Sequence, residues 1–196
     1  MPSRSGAWAR AACTRVPEWW PGVVHRLDKG TSGLIVLAKH EAALRELQRQ
    51  FKSREVEKVY LALVAGRPPT PAGMVEAAIG RDRAHRQRMA VVPEGRGRPA
   101  ATQYATREQF AEFTLLEAGP ITGRTHQVRL HLAHLGCPIV GDPVYGRRRS
   151  PLGLQRPFLH AWRLSFRLPG EDQPRQFEAE LPPDLEETLQ TLRQGI

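Results

Sequence analysis

Residues 25–33 read His25-Arg26-Leu27-Asp28-Lys29-Gly30-Thr31-Ser32-Gly33 and run directly into Leu34-Ile35-Val36-Leu37-Ala38-Lys39. A chain with this stretch has to turn sharply and then extend. Gly30 and Gly33 admit backbone angles that side chains resist, and the short apolar run that follows reads as a buried strand. Asp28 is thereby held in a tight turn, between Arg26 and Lys29, on a mount whose far side is a rigid element. Two readings of that carboxylate are open. In the plain one it accepts hydrogen bonds from the amides of Thr31 and Ser32, as acids in turns commonly do. In the other it is a reactive group, which the flanking cations and a second basic motif downstream favour.

The 196 residues are enough for one domain with a real core, and an apolar content of 40% makes the chain globular rather than disordered. Lysine and arginine number 29 against 20 acids, a net charge of +9. A surplus of that size calls for a polyanionic partner. Nucleic acid fits better than a membrane, because no run approaches the roughly 18–20 apolar residues of a span. The start shows neither a basic amphipathic anchor nor a secretory signal, so the cytoplasm is the expected compartment. Cys13 and Cys137 are expected to be free thiols. A zinc site at Cys137 with His131 and His134 is not expected, because no fourth ligand has the required spacing.

Residues 1–21, with Trp19-Trp20 and several prolines, are expected to form an irregular arm, and residues 22–196 the folded domain. Residues 40–53 carry Ala43, Leu44, Leu47 and Phe51 at helical spacing. Residues 55–65 suit a core strand. Within it, periodicity favours Tyr60 as a core residue, with a flat surface for a nucleobase as the alternative. Residues 73–118 read as short strands and turns. Arg81, Arg83, Arg86, Arg88, Arg96 and Arg98 crowd there against only Asp82 and Glu94, which favours a basic ribbon along phosphates over a solvated hairpin.

The second motif is Thr122-Gly123-Arg124-Thr125-His126-Gln127-Val128-Arg129-Leu130-His131-Leu132. Thr125 is the expected helix N-cap, Val128, Leu132 and Leu135 the buried stripe, and Gly136 the stop. Arg124, Thr125, His126 and Gln127 crowd the first turn, where free amides suit a phosphate. Residues 141–146 form a turn-rich connector followed by Arg147-Arg148-Arg149. Residues 158–168 are expected as a strand and 182–194 as an amphipathic helix.

These segments resemble those of the RluA-type pseudouridine synthase family. Residues 25–33 are similar to its H-R-L-D-x-x-T-S-G motif. Glu57-Lys58-Val59-Tyr60 resembles the segment of its active-site tyrosine, and residues 122–132 resemble T-G-R-T-H-Q-[IV]-R-x-H. Residues 136–146 and Leu159-His160-Ala161 resemble two further segments, and the order is that of the family. The upstream strand and N-K-P-x-G segment usual in members are not found in the first 22 residues, nor is the small N-terminal RNA-binding domain many members carry.

The resemblance implies an α+β fold around a mixed, largely antiparallel sheet with flanking helices and a central basic cleft. It implies isomerisation of uridine in ribosomal or transfer RNA, by a monomer acting on RNA rather than DNA or membrane. Neither metal nor other cofactor is implied. Asp28 would act at the ribose, Tyr60 would stack on the uracil of a flipped-out nucleotide, and Arg129 would pair with Asp28 and keep it charged. Arg26, Lys29, Arg81, Arg83, Arg86, Arg88, Arg124, Thr125, His126 and Gln127 would contact RNA. A phosphotransferase is disfavoured, because that chemistry requires a metal and further carboxylates. A non-catalytic RNA-binding relative is the stronger rival.

Overall fold

The computed structural model describes residues 22–82, 84–85, 88–146 and 152–195. The expected arm at 1–21, with Cys13, and the basic residues Arg83, Arg86 and Arg147-Arg148-Arg149 lie outside the described residues.

Seven strands form one sheet: β1 (Ser32–Gly33), β2 (Glu57–Ala65), β3 (Ala72–Glu76), β6 (Ala101–Gln109), β7 (Phe113–Pro120), β8 (Leu159–Arg167) and β9 (Pro174–Glu178). The order is β1-β8-β2-β7-β6-β3, with β9 also on β8. Every pairing is antiparallel except β1 with β8. A separate hairpin, β4 (Ile79–Arg81) and β5 (Met89–Val91), carries the arginine-rich segment. Three helices complete the fold of the described residues: α1 (Glu41–Lys52), α2 (Gln127–His134) and α3 (Pro183–Arg193). A mixed, largely antiparallel sheet with flanking helices is the architecture the resemblance implies.

β2 is the centre of the sheet, and residues 61–65 are all buried. A strand covered on both faces needs no alternation, which is why Leu61-Ala62-Leu63-Val64-Ala65 is apolar throughout. Leu61 and Leu115 face Leu181 and Leu189 beside α3. Tyr60, one step along β2, opens to the opposite side with Val128 of α2. α1 packs Ala43 and Leu47 against Val56, Leu164 and Phe166. Its buried Gln50 ties it to β8, donating to the Arg167 carbonyl and accepting from the Arg167 amide, each at 3.0 Å.

The apolar run 34–38 departs from expectation. It is extended but not a core strand: Ile35 is 49% and Leu37 60% exposed, while Leu34, Val36 and Ala38 face the α1 cluster. Only one side of the segment is covered, so two of its five apolar side chains remain in solvent.

α2 also begins differently. His126, not Thr125, is the N-cap; it sits at φ 57° and makes no side-chain cap bond. The reason lies one residue on. The Gln127 carbonyl oxygen accepts from the Arg124 amide at 3.0 Å and the Thr122 hydroxyl at 2.6 Å, and its amide nitrogen donates to the Ala101 carbonyl and the Thr102 hydroxyl, both at 2.9 Å. Gln127 therefore fixes where the helix begins by tying its first residue to the preceding turn and to β6, rather than by a side-chain cap.

Candidate active site

The turn at residue 28 is closed by the Thr31 amide, which donates to the backbone carbonyl of Asp28 at 3.0 Å. Gly30, at φ 84°, supplies the positive angle such a turn needs at its third residue. The side-chain carboxylate takes no part. Among the described residues Asp28 joins no ion pair and its carboxylate accepts no hydrogen bond. The plain reading of this aspartate as a turn acceptor is thus replaced by one in which the main chain closes the turn and the carboxylate is left over.

The mount is rigid. Leu34 donates from its amide to the Ala161 carbonyl at 2.9 Å. A side chain at Gly33 would lie 2.2 Å from that same oxygen, so only glycine lets the turn come this close to β8. Ser32 Oγ shares a hydrogen bond of 2.9 Å with His160 Nδ1. Arg156 donates to the Gly30 carbonyl at 3.1 Å while gripping Asp184 of α3 through Nε and Nη2, both at 2.7 Å.

Asp28 borders a cleft of about 520 Å³. Tyr60 lines the same cleft and feels the Asp28 charge: burial first, then that carboxylate, push its phenol up to about 12. The hydroxyl therefore stays protonated at any ordinary pH. Arg26, Lys52, Arg54, Lys58 and Arg124 are the other charged lining residues besides His25, all of them cations. His25 is held neutral. Burial and then Lys58 pull it down to about 4, its Nε2 accepts from the Val36 amide at 3.0 Å, and its ring stacks on Phe51 at 4.7 Å.

Arg129 is placed differently from the family-based expectation. It does not form the bidentate pair with Asp28; Nε and Nη2 instead donate to Asp142 at 2.6 and 2.7 Å. Both partners are buried, at 4% and 0% side-chain exposure. Asp142 also accepts from the amides of Val144 at 2.8 Å and Tyr145 at 3.1 Å. Burial would raise this carboxyl, but those donors win and hold it below its ordinary value. Burial likewise opposes the Arg129 charge, and the Asp142 bonds overcome it, so the guanidinium is fixed in its charged form. Asp28 lies within electrostatic reach of Arg129, His126, Tyr145 and Tyr60. Arg129 thus presents its field to Asp28 from a buried seat, without a direct pair.

Tyr145 joins this seat to the arginine-rich hairpin. Its hydroxyl accepts from the Met89 amide of β5 at 3.3 Å and shares a hydrogen bond with His126 Nδ1 at 2.9 Å, while Arg129 lies 5.0 Å over its ring.

The remaining sequence candidates divide cleanly. Arg26, Arg124 and Thr125 line the cleft. Lys29, Arg81 and Arg88 are exposed outside its lining. Gln127 also touches the cleft wall but is 3% exposed, and the four bonds of its amide leave no donor or acceptor for RNA, which corrects its inclusion as an RNA contact. Both ring nitrogens of His131 are hydrogen-bonded, to Thr102 and to the Ala77 carbonyl. Sequence reasoning missed Asp142, Tyr145, Lys58 and Arg54. For Asp142 a signal existed: one acid in the otherwise apolar stretch Cys137-Pro138-Ile139-Val140-Gly141 onward must have a buried cation to face.

Comparison with known proteins shows the family. The family profile described as RNA pseudouridylate synthase matches residues 20–134. A Chloroflexus aurantiacus protein named an uncharacterized RNA pseudouridine synthase is 53% identical over 176 residues, covering 90% of this chain and 55% of its own length. Ribosomal large subunit pseudouridine synthase D of Nitrosomonas europaea is 47% identical, over 88% of this chain and 51% of its own. The chain spans about half the length of these curated relatives. The structure of human RNA pseudouridylate synthase domain containing 4 superposes with a TM-score of 0.72 at 31% identity, over 87% of this chain and 75% of that one. That of human RNA pseudouridylate synthase domain containing 1 gives 0.71 at 30%, over 87% and 79%. With its profile match across more than half the residues, its motifs in order and its sheet shared with these structures, the chain belongs to the RNA pseudouridylate synthase family.

Proposed function

We propose that this protein isomerises uridine in RNA to pseudouridine, with Asp28 as the reacting carboxylate. The observation that carries the reading is the environment of Asp28 among the described residues: a carboxylate with no ion pair or hydrogen bond there, beside Tyr60, in a cleft whose other charged lining residues are cations apart from a neutral histidine. A carboxylate left unpaired among cations is one reserved for something that enters the cleft. The reaction breaks the bond from ribose C1′ to a ring nitrogen and forms one to a ring carbon. Atoms and oxidation state are conserved, so the step balances without a metal or redox cofactor. Asp28 acts at the sugar, by attack on the ribose or by removing a ribose proton. Tyr60 stacks on the uracil near the carbon that must lose its proton. Its protonated hydroxyl at neutral pH makes it a ring surface and hydrogen-bond donor rather than a base.

A uridine inside a helix cannot enter such a cleft, so it flips out at a cost of a few kcal/mol. Arg26 and Arg124 at the lining, with Lys29, Arg81 and Arg88 beyond it, offset that cost on the phosphates and make binding salt-sensitive; Arg83 and Arg86, outside the described residues, are proposed from the sequence to add to this charge. Thr125 and His126 stand at the start of α2, beside this path. The cleft is read as the basic groove that the resemblance implies. The substrate favoured is large-subunit ribosomal RNA, from the name of the Nitrosomonas relative, with transfer RNA as the alternative. A cytoplasmic monomer is proposed. No helix among the described residues is long and apolar enough to cross a membrane.

The test is direct. A large-subunit ribosomal RNA transcript incubated with the protein should acquire pseudouridine, detected by mass spectrometry of nucleosides. Asp28→Ala should lower the rate at least about 10³-fold, the loss expected when a group that acts only in the transition state is removed, while RNA affinity is kept. RNA bound by the wild type without product would instead assign a non-catalytic binding module.

A further inference from the structure

The mechanism leaves one half-buried cation without a task. Lys58 lies two residues before Tyr60 on β2, and both line the cleft. Among the described residues its ammonium makes no ion pair and donates no hydrogen bond; it stands 6.0 Å from the Phe51 ring. Burial, then the charge of Arg54, pulls the ammonium down from its ordinary value. Arg54 is itself unusual. It is one of two non-glycine residues at positive φ among those described, at 60° just past α1, a backbone state that costs about 1 kcal/mol or more. Its side chain lines the same cleft and forms no described ion pair. Lys58 is partly buried and Arg54 is exposed beside it, and two like charges so placed repel. The nearby acid Glu55 is bonded to Arg49 and Arg167 instead. An arrangement that is unfavourable alone becomes favourable when an anion enters.

We infer that Lys58 and Arg54 form an anion subsite for the backbone phosphate adjacent to the uridine whose base lies on Tyr60. The inference rests on the proposed uridine-binding role of the cleft. The shared lining supports the spacing: Lys58 and Tyr60 are two residues apart on β2, either side of a register shift in its pairing with β8, and both border the one cleft, so the cation stands near the ring that receives the base. A phosphate there fixes the nucleotide by both of its ends, sugar-phosphate at Lys58 and base at Tyr60, with the ribose between them and near Asp28. Lys58 is therefore a positioning residue for the substrate rather than a group that reacts.

The experiment measures binding of uridine, uridine 5′-monophosphate, uridine 3′-monophosphate and inorganic phosphate to the intact chain by calorimetry or NMR titration. One of the two monophosphates should bind about tenfold tighter than uridine, equal to about 1.4 kcal/mol. Lys58→Met should erase that advantage and leave uridine affinity unchanged, and Lys58→Arg should retain most of it. The ammonium resonance of Lys58 should shift with the favoured monophosphate in the wild type, a readout that folding defects in a variant cannot imitate. The inference is overturned if neither monophosphate is preferred, or if the preference survives Lys58→Met. It is also overturned if inorganic phosphate shifts the Lys58 signal as tightly as the monophosphates, because the site would then serve free phosphate. Each of these outcomes leaves pseudouridine formation intact as a separate measurement. Absence of product from ribosomal RNA would in turn count against the reaction without touching the subsite.

Discussion

Two glycine-flanked turns each carry one aspartate, and they treat it in opposite ways. At residue 142 the carboxylate is fully buried and accepts four hydrogen bonds, two of them from Arg129. At residue 28 the backbone closes the turn and the carboxylate has no described partner. The same functional group is a keystone in one place and unengaged by described neighbours in the other. The difference comes from which atoms satisfy the turn. Where main-chain groups suffice, as at Asp28, the side chain is left available, which is what the proposed reaction requires. Where the turn leans on the side chain, as with the Val144 and Tyr145 amides, the acid is no longer available. Arg129 connects the two, held by one aspartate and felt by the other.

The comparison is broken most severely if Asp28→Ala disturbs the fold. Its effect should be confined to turnover, with the thermal midpoint within about 2 °C of wild type, because a surface change away from packing rarely exceeds about 0.5 kcal/mol. Asp142→Ala should do the reverse. It leaves Arg129 charged, buried and unpaired, which costs about 3–5 kcal/mol in a urea unfolding experiment. The double variant Arg129→Met, Asp142→Leu sharpens the point. It should recover most of that stability yet remain impaired in turnover. Full activity in the double variant would show that the Arg129 charge is irrelevant to Asp28.

A smaller effect follows from His25, which is neutral in the folded protein down to about pH 4 but protonates near 6.5 when unfolded. Its folded pKa is depressed, so the stability it contributes is present above pH 6.5 and is lost as pH falls from there toward 4. Allowing for solvent screening, the loss is on the order of 1–2 kcal/mol. Unfolding curves at pH 7 and pH 4.5 should differ less in His25→Gln than in the wild type. The smallest effect expected is from Arg88→Gln. It should weaken RNA binding uniformly across sequences and reduce the salt slope by about 0.7–0.9. An unchanged slope would make the hairpin a solvated face.

Much of the fold was legible because local pattern decided it. The unbroken apolar run in β2, the Ala43-Leu47 stripe of α1 and the Leu185-Leu189 stripe of α3 each state how many sides are covered. Leu34-Ile35-Val36-Leu37-Ala38 misled, because a continuous apolar run does not say whether a neighbour exists on both faces, and here α1 covers one. At the site, Asp28 and Tyr60 were legible as candidates from the turn and from the family motifs, and the cleft brings them together. The pairing of Arg129 was not, although Asp142 stands only 13 residues on and is an acid in an apolar stretch, because family position favoured Asp28 as the direct contact. The start of α2 was hidden because the side chain of its first residue is bonded to Thr122, Ala101 and Thr102. Contacts of this kind, unlike an apolar stripe, leave no periodicity to read.

The parallel ladder of β1 on β8 is two residues long and joins Ser32 to His160 and Gly33 to Ala161. Its brevity gives the protein a built-in order of assembly. The loop it closes spans well over a hundred residues, so the contact forms late, after the local hairpins have formed. During synthesis on the ribosome, the residues around the turn can pack on α1 early, through His25 on Phe51 and through Leu34 and Val36, but the turn at Asp28 gains its β8 contacts only after His160 and Ala161 have emerged. A nascent chain therefore holds Asp28 less firmly than the finished fold does, and the seam that closes late is the one that fixes the turn.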